Sequence, residues 1–221
     1  MIVVYKNFFR NRMVNLSKKS VQHFLPNAQF HCISLYKQNM EEYNGQDLLD
    51  PDIAETFAKT QIVLQHDKPM DHIIDSMTSG YASPENAAIF SEGYNLIMEK
   101  FKDVDEKVLI LAEDHFFTTG AVLKELDEND WDLANAPWDN DNDGNASILG
   151  IRPKRMQHLF PIPERSGLIV EHHLARYVIH KVDPARRYII KNRRHINYFG
   201  DGIYTNSSER MKQLMEAAGI L

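Results

Sequence analysis

Glu113, Asp114 and His115 follow directly on the run Lys107-Val108-Leu109-Ile110-Leu111-Ala112. A continuous apolar run of this kind suits a central strand covered on both faces. Two acids at the end of such a strand are hard oxygen donors of the type that binds Mn²⁺ or Mg²⁺. An ion held there could offset the charge of a leaving diphosphate. Acids also follow strands simply as the polar start of a loop, and composition alone leaves both readings open.

The elements that must position these acids can be read outward from them. Ile2-Val3-Val4-Tyr5 reads as a buried strand, Asn15 to Phe24 as a helix with Leu16, Ser20 and Phe24 on one face, and Gln29 to Tyr36 as a second strand. This opening predicts a parallel pair joined by a helical crossover. Residues 38 to 60 are polar and helix-like around Asp52 to Phe57, and Gln61 to Gln65 reads as a third strand. The clearest helix spans 85 to 101, where Ile89, Gly93, Ile97 and Phe101 recur at helical spacing. Thr119 is a candidate cap for a helix over 120 to 126. Short strands are expected at 132–136, 146–151 and 187–190, with helices at 172–180 and 209–218 and Gly219 as a stop. Alternating strands and helices predict an α/β fold with a mainly parallel sheet and helices on both faces. Ligands of such sheets bind beyond the carboxyl ends of the strands. That places the chemistry after Tyr5, after Leu64 and after Ala112.

Bulk properties narrow the classes. A chain of 221 residues is long enough for one sizeable core, and the absence of a linker or repeat predicts a single domain over 1–221. A net charge of −6 argues against a dedicated nucleic-acid binder, which needs clustered cations. The basic run Arg186 to Arg194 reads equally as a solvated face or as a local phosphate site. Cys32 is the one cysteine, so no intrachain disulfide forms, and it is expected in the core. No stretch approaches the roughly 20 apolar residues of a spanning helix. The expectation is a cytoplasmic chain without membrane insertion.

The run Leu111-Ala112-Glu113-Asp114-His115-Phe116 resembles the metal motif of GT-A glycosyltransferases, in the Glu-Glu-Asp-His form of some N-acetylglucosaminyltransferases. Ala112 stands where that form has its first acid. The resemblance implies a Rossmann-like GT-A domain that moves a sugar from a nucleotide-sugar donor, first of all a UDP-sugar, to a glycan or other hydroxyl acceptor. It implies Mn²⁺ or Mg²⁺ on Asp114, with Glu113 near the donor. Ile2 to Asn7 is similar to the family's first strand and nucleotide loop, which would put Tyr5, Lys6 and Asn7 near the base; the alternative is that Tyr5 is simply a core residue. Asp67 is a further nucleotide-side candidate. The family often supplies a late second metal ligand, and His195, before Gly200-Asp201-Gly202, matches in position. His172, His173 and His180 compete with it. An inverting enzyme needs a general base, and Glu171 falls where the family order expects one, with Glu164 as rival.

The stretch Asp139-Asn140-Asp141-Asn142-Asp143-Gly144 matches part of a calcium-binding EF-hand loop, but Gly150 stands where that loop needs a bidentate Glu. An acceptor-side loop is the expectation, with Trp138 as a sugar platform, a core residue or a rim residue. No phosphate-binding P-loop, nucleophile elbow or dinucleotide glycine cluster is present. A nucleotidyltransferase acting on sugar phosphates and a non-catalytic carbohydrate- or calcium-binding module are the alternatives.

Overall fold

The structure is a computed structural model that describes residues 1–7, 11–34, 48–57, 84–138, 141–162, 177–192, 196–198 and 204–221. Its strands are β1 (Ile2–Asn7), β2 (Gln29–Ser34), β3 (Ala54–Phe57), β4 (Val108–Ala112), β5 (His115–Phe117), β6 (Leu133–Trp138), β7 (Asp141–Ile151), β8 (Arg187–Ile189) and β9 (Ile196–Tyr198). Its helices are α1 (Asn11–Phe24), α2 (Pro84–Phe101), α3 (Ala121–Glu128), α4 (Pro153–Met156) and α5 (Tyr204–Ala217).

Among the described residues the main sheet has seven strands in the order β3-β2-β1-β4-β7-β6-β8. Every neighbouring pair is parallel except those made by β7, which runs against both β4 and β6. The mainly parallel α/β sheet expected from the sequence is therefore present. Strand alternation divides the core. Ile2, Val4, Ile110, Leu149 and Leu133 face Tyr94, Ile97, Met98 and Phe101 of α2. Val3, Tyr5, Leu109, Leu111 and Ala134 face Val14 and Val21 of α1 and Val122, Leu123 and Leu126 of α3. Helices thus cover both faces, and β4 lies at the centre with residues 108–111 fully buried. Cys32 is in the core, as expected.

Several local rules are visible. Pro84 opens α2, where its missing N–H costs nothing. Gly219, at φ 70°, closes α5, with Ile220 N–H donating to Met215 O at 3.0 Å and Gly219 N–H to Glu216 O at 3.0 Å. Gly150 is required by close approach, since a Cβ there would stand 2.8 Å from the ring of the fully buried Trp131. No described helix is long and apolar enough to cross a membrane.

The sequence reading is corrected at several points. Residues 54–57 form β3 rather than helix, drawn into the sheet by the parallel register His31 to Ala54 and Cys32 to Glu55. The strand expected at 61–65 lies outside the described residues. The helix expected from Asn15 begins at Asn11. Gly120 rather than Thr119 is the cap residue of α3, while the Thr119 hydroxyl accepts from the Ala121 N–H at 3.5 Å. Residues 141–144, read as loop, begin the long strand β7 and pair back on β6 through Trp138 and Asp141. Strands β5 and β9 were not expected at all.

Candidate functional site

The acidic corner is made by the end of β4. Glu113 and Asp114 form the turn between Ala112 and β5. Lys6 pairs with Ala112, so the carboxyl ends of β1 and β4 open side by side, at the edge where α/β sheets present ligands.

Helix α1 fixes the far side of the turn. The Ser17 hydroxyl bonds the carbonyl oxygen of His115 and, at 3.1 Å, the Tyr5 phenol. The Phe117 N–H donates to Ser20 Oγ at 3.2 Å. Strand β5 then pairs antiparallel with β9, His115 opposite Tyr198 and Phe117 opposite Ile196. The corner is thereby bonded to a helix on one side and to a late chain segment on the other. Sequence reading missed Ser17 and Ser20, because periodicity marks a buried helix face without saying which strand it meets.

The two acids of the corner differ. Glu113 is buried, at 3% exposure. Asp114 reaches further out, with its side chain 15% exposed, and its Oδ1 lies 2.8 Å from Nδ1 of His115, itself 4% exposed. A carboxylate can only accept, so Nδ1 carries the proton in that bond.

Beneath the corner, Lys6 is buried at 1% exposure and its ammonium donates to the Tyr94 hydroxyl at 2.6 Å, lying 4.6 Å from the centre of the same ring. Asn7, also 1% exposed, donates from Nδ2 to Asn11 Oδ1 at 2.8 Å and ties the end of β1 to the start of α1. Tyr5 is wholly buried, and burial, only partly offset by its bond to Ser17, pushes its phenol well above the usual value. The Tyr5 side chain is thus placed in the core on the α1 face, in line with the core alternative for this residue. Lys6 and Asn7 turn to the interior partners Tyr94 and Asn11.

Asp67, Glu171 and His195 lie outside the described residues, as do the rivals Glu164, His172 and His173. Within the described residues, Tyr198 of β9 stands opposite His115, next to Asp114, and Ile196 stands opposite Phe117.

As to metal chemistry, no group of three or more His, Cys, Asp or Glu side chains stands at ligand geometry among the described residues. Mg²⁺-like ions bound with a phosphate substrate need only one or two protein carboxylates, the substrate oxygens and water completing the shell. The hard oxygens of Asp114 at the strand end fit that donor set. The basic run resolves in part: Arg186 is engaged with Asp130 and Asp132, which excludes it from a phosphate site.

No protein-family profile and no curated protein matches the chain. Solved structures do. A glycosyltransferase of Streptococcus pneumoniae TIGR4, GlyE, in its apo form, aligns at 17% identity and a TM-score of 0.46, covering 87% of this chain. The chain spans 45% of the length of that protein. A putative nucleotide-diphospho-sugar transferase from Desulfovibrio desulfuricans G20 aligns at 11% identity and a TM-score of 0.47, covering 98% of this chain and 97% of its own. A glycosyltransferase involved in glycosylation of the major capsid of PBCV-1 aligns at 11% identity and a TM-score of 0.43, covering 96% and 98%. The chain is similar to sugar transferases.

Proposed function

We propose that this chain is a metal-assisted glycosyltransferase that moves a sugar from a nucleotide-sugar donor, first of all a UDP-sugar, to a glycan or other hydroxyl acceptor. Glycosyl transfer, the activity named for the similar structures, is carried to this chain here. The observation that supports it is the Glu113-Asp114 corner, set at the carboxyl end of the central strand beside the end of β1 and bonded on both flanks.

In this reading Asp114 is the protein's carboxylate on Mn²⁺ or Mg²⁺, and Glu113 lies on the donor side. The ion, when bound, neutralises charge on the leaving nucleoside diphosphate. The chain's own residues orient and enclose. Ser17 and Ser20 hold the β5 backbone, which anchors the turn that carries Asp114. Lys6 braces the strand ends from behind through its bond to the Tyr94 hydroxyl. The neighbouring Asn7–Asn11 bond keeps β1 and α1 at a fixed spacing. Glu171 is proposed as the base that takes the acceptor proton if the reaction inverts, with His195 or another donor of the chain's last part as second metal ligand and Asp67 on the nucleotide side.

The test is donor binding. UDP-, GDP- and dTDP-sugars and the free nucleotides are screened by thermal shift with and without Mn²⁺. Ligands that bind only the native state raise the melting temperature by mass action, by about 2.7 kcal/mol of stability at 100 times Kd. A metal-dependent shift for one nucleotide class is the expected result. Shifts with glycans or Ca²⁺ alone, and none with any nucleotide, would replace the transferase by a binding module.

A further inference from the structure

The Asp114–His115 contact joins neighbours in sequence, a geometry that the backbone does not produce by default. Side chains of adjacent residues in extended chain point to opposite faces. Here the turn at 113–114 brings the Asp114 carboxylate back onto the ring of the residue that follows it, Oδ1 to Nδ1 at 2.8 Å. The ring is held independently of the acid. Its backbone carbonyl accepts from Ser17 of α1, its strand pairs with β9 at Tyr198, and the side chain is 4% exposed. Asp114 is the more exposed partner, at 15%. A buried donor therefore faces the carboxylate of the more exposed residue.

We propose that His115 is a positioning residue for the metal site: its Nδ1–H holds Oδ1 of Asp114 and so sets the direction in which that carboxylate presents its oxygens to a divalent cation. The inference rests on the reading of Asp114 as metal ligand. Its physical basis is general. Carboxylates and imidazoles that ligate metals are oriented by hydrogen bonds from outside the coordination shell, and loss of such a bond costs about 10–100-fold in metal affinity. The bond also fixes the tautomer, with Nδ1 as the donor, so what matters is an N–H at that one position on the side chain. Asparagine offers an N–H at the matching branch of its amide, directly on Cγ. Glutamine carries its N–H one carbon further out.

The experiment uses Mn²⁺ as the probe and the loss of the free-ion paramagnetic resonance signal as the readout, on the full chain without donor. Melting curves show that each variant is folded. His115→Ala and His115→Gln are expected to weaken Mn²⁺ binding by about 10–100-fold, and His115→Asn to recover most of it. Asp114→Asn serves as the reference and is expected to abolish binding at the same site. Asn and Gln variants with equal affinity, or an Ala variant that binds like the wild type while Asp114→Asn does not, would overturn the positioning role and leave the metal assignment standing. Unchanged binding in Asp114→Asn would overturn the metal assignment and the positioning role with it. If only the Ala variant melts early, the comparison between Asn and Gln still decides.

Discussion

At the amino ends of the parallel strands, Arg152, Arg155 and Arg186 mesh with Asp105, Asp130 and Asp132. Arg186 forks onto Asp132 with bonds of 3.0 and 2.8 Å, Arg155 reaches Asp132 at 3.0 Å and Asp105 at 2.9 Å, and Arg152 reaches Asp130 at 2.9 Å. At the carboxyl ends of the same strands the charges are differently matched. Lys6 meets a phenol, Asp114 an imidazole, and both are more buried than most of the arginine network. One end uses planar guanidinium forks, which satisfy carboxylates in bidentate fashion and hold them ionised. At the other, a ring is among the partners of each charged group. A network of the first kind is an adhesive for the β6, β7 and β8 termini. An arrangement of the second kind buries its charged groups against rings at the ligand edge.

The sharpest way to break this contrast is Asp114→Ala. It is expected to lower metal-dependent sugar transfer by about a thousand-fold, since an ion of this kind supplies several kcal/mol to the transition state. The melting temperature should stay near that of the wild type. Full activity in the variant would reduce the carboxyl-end acids to loop polarity.

Glu125 tests the contrast from between the two ends. At 7% exposure it accepts from Tyr188 OH at 2.9 Å, Lys191 N–H at 2.6 Å, Asn192 N–H at 3.0 Å and Asn192 Nδ2 at 2.6 Å. Burial, the largest influence, would raise its pKa, but the bonds from Lys191, Tyr188 and Asn192 together outweigh it and hold the carboxyl low. The same contact works the other way on Tyr188, whose phenol is pushed up to about 12, first by burial and then by Glu125. Glu125→Gln turns an amide N–H₂ toward donors and is expected to cost about 2–3 kcal/mol in urea unfolding. Transfer activity should fall less than stability does. A change under 0.5 kcal/mol would mean that the 188–192 segment is held by something else.

The smallest effect is expected at the amino end. Asp132→Asn removes the carboxylate shared by Arg155 and Arg186 and should cost about 1–2 kcal/mol at neutral pH, less in high salt. Arg186 is the first cause of the low pKa of Asp132, followed, after an opposing effect of burial, by Arg155. The folded value is depressed below the ordinary 3.8, so the stabilisation is complete above that pH and is lost as pH falls through the folded value. The variant should therefore show a flatter loss of stability below about pH 4, with kcat unaltered. An altered kcat would tie the amino end to chemistry.

Much of this contrast is visible in the sequence, and the rest depends on contacts that no local pattern encodes. β1, β4 and the described part of α2 are legible because each carries its own period or a continuous apolar run. The acidic corner is legible because it follows β4 directly. β3 was misread since Ala54 and Glu55 are weak strand formers and only the register with β2 makes them a strand. β7 was misread at its start because Asp, Asn and Gly are poor in strands, yet the pairing with β6 imposes extension there. β5 and β9 have three residues each, too short for a pattern, and exist through each other. For Tyr5 the sequence leaves ligand contact and core both open, because a strand's sequence does not tell which of its last residues turns inward.

The β5–β9 ribbon carries a consequence for the order in which the molecule is made. β1, β2 and β4 can pair once residue 112 has been synthesised, whereas the strand that β5 pairs with among the described residues is complete only when residue 198 has emerged. Closing so long a loop is slow and comes late. A nascent or partly loosened chain can therefore own a formed sheet and an unformed acidic corner, and mild heat or denaturant should loosen that corner before the core.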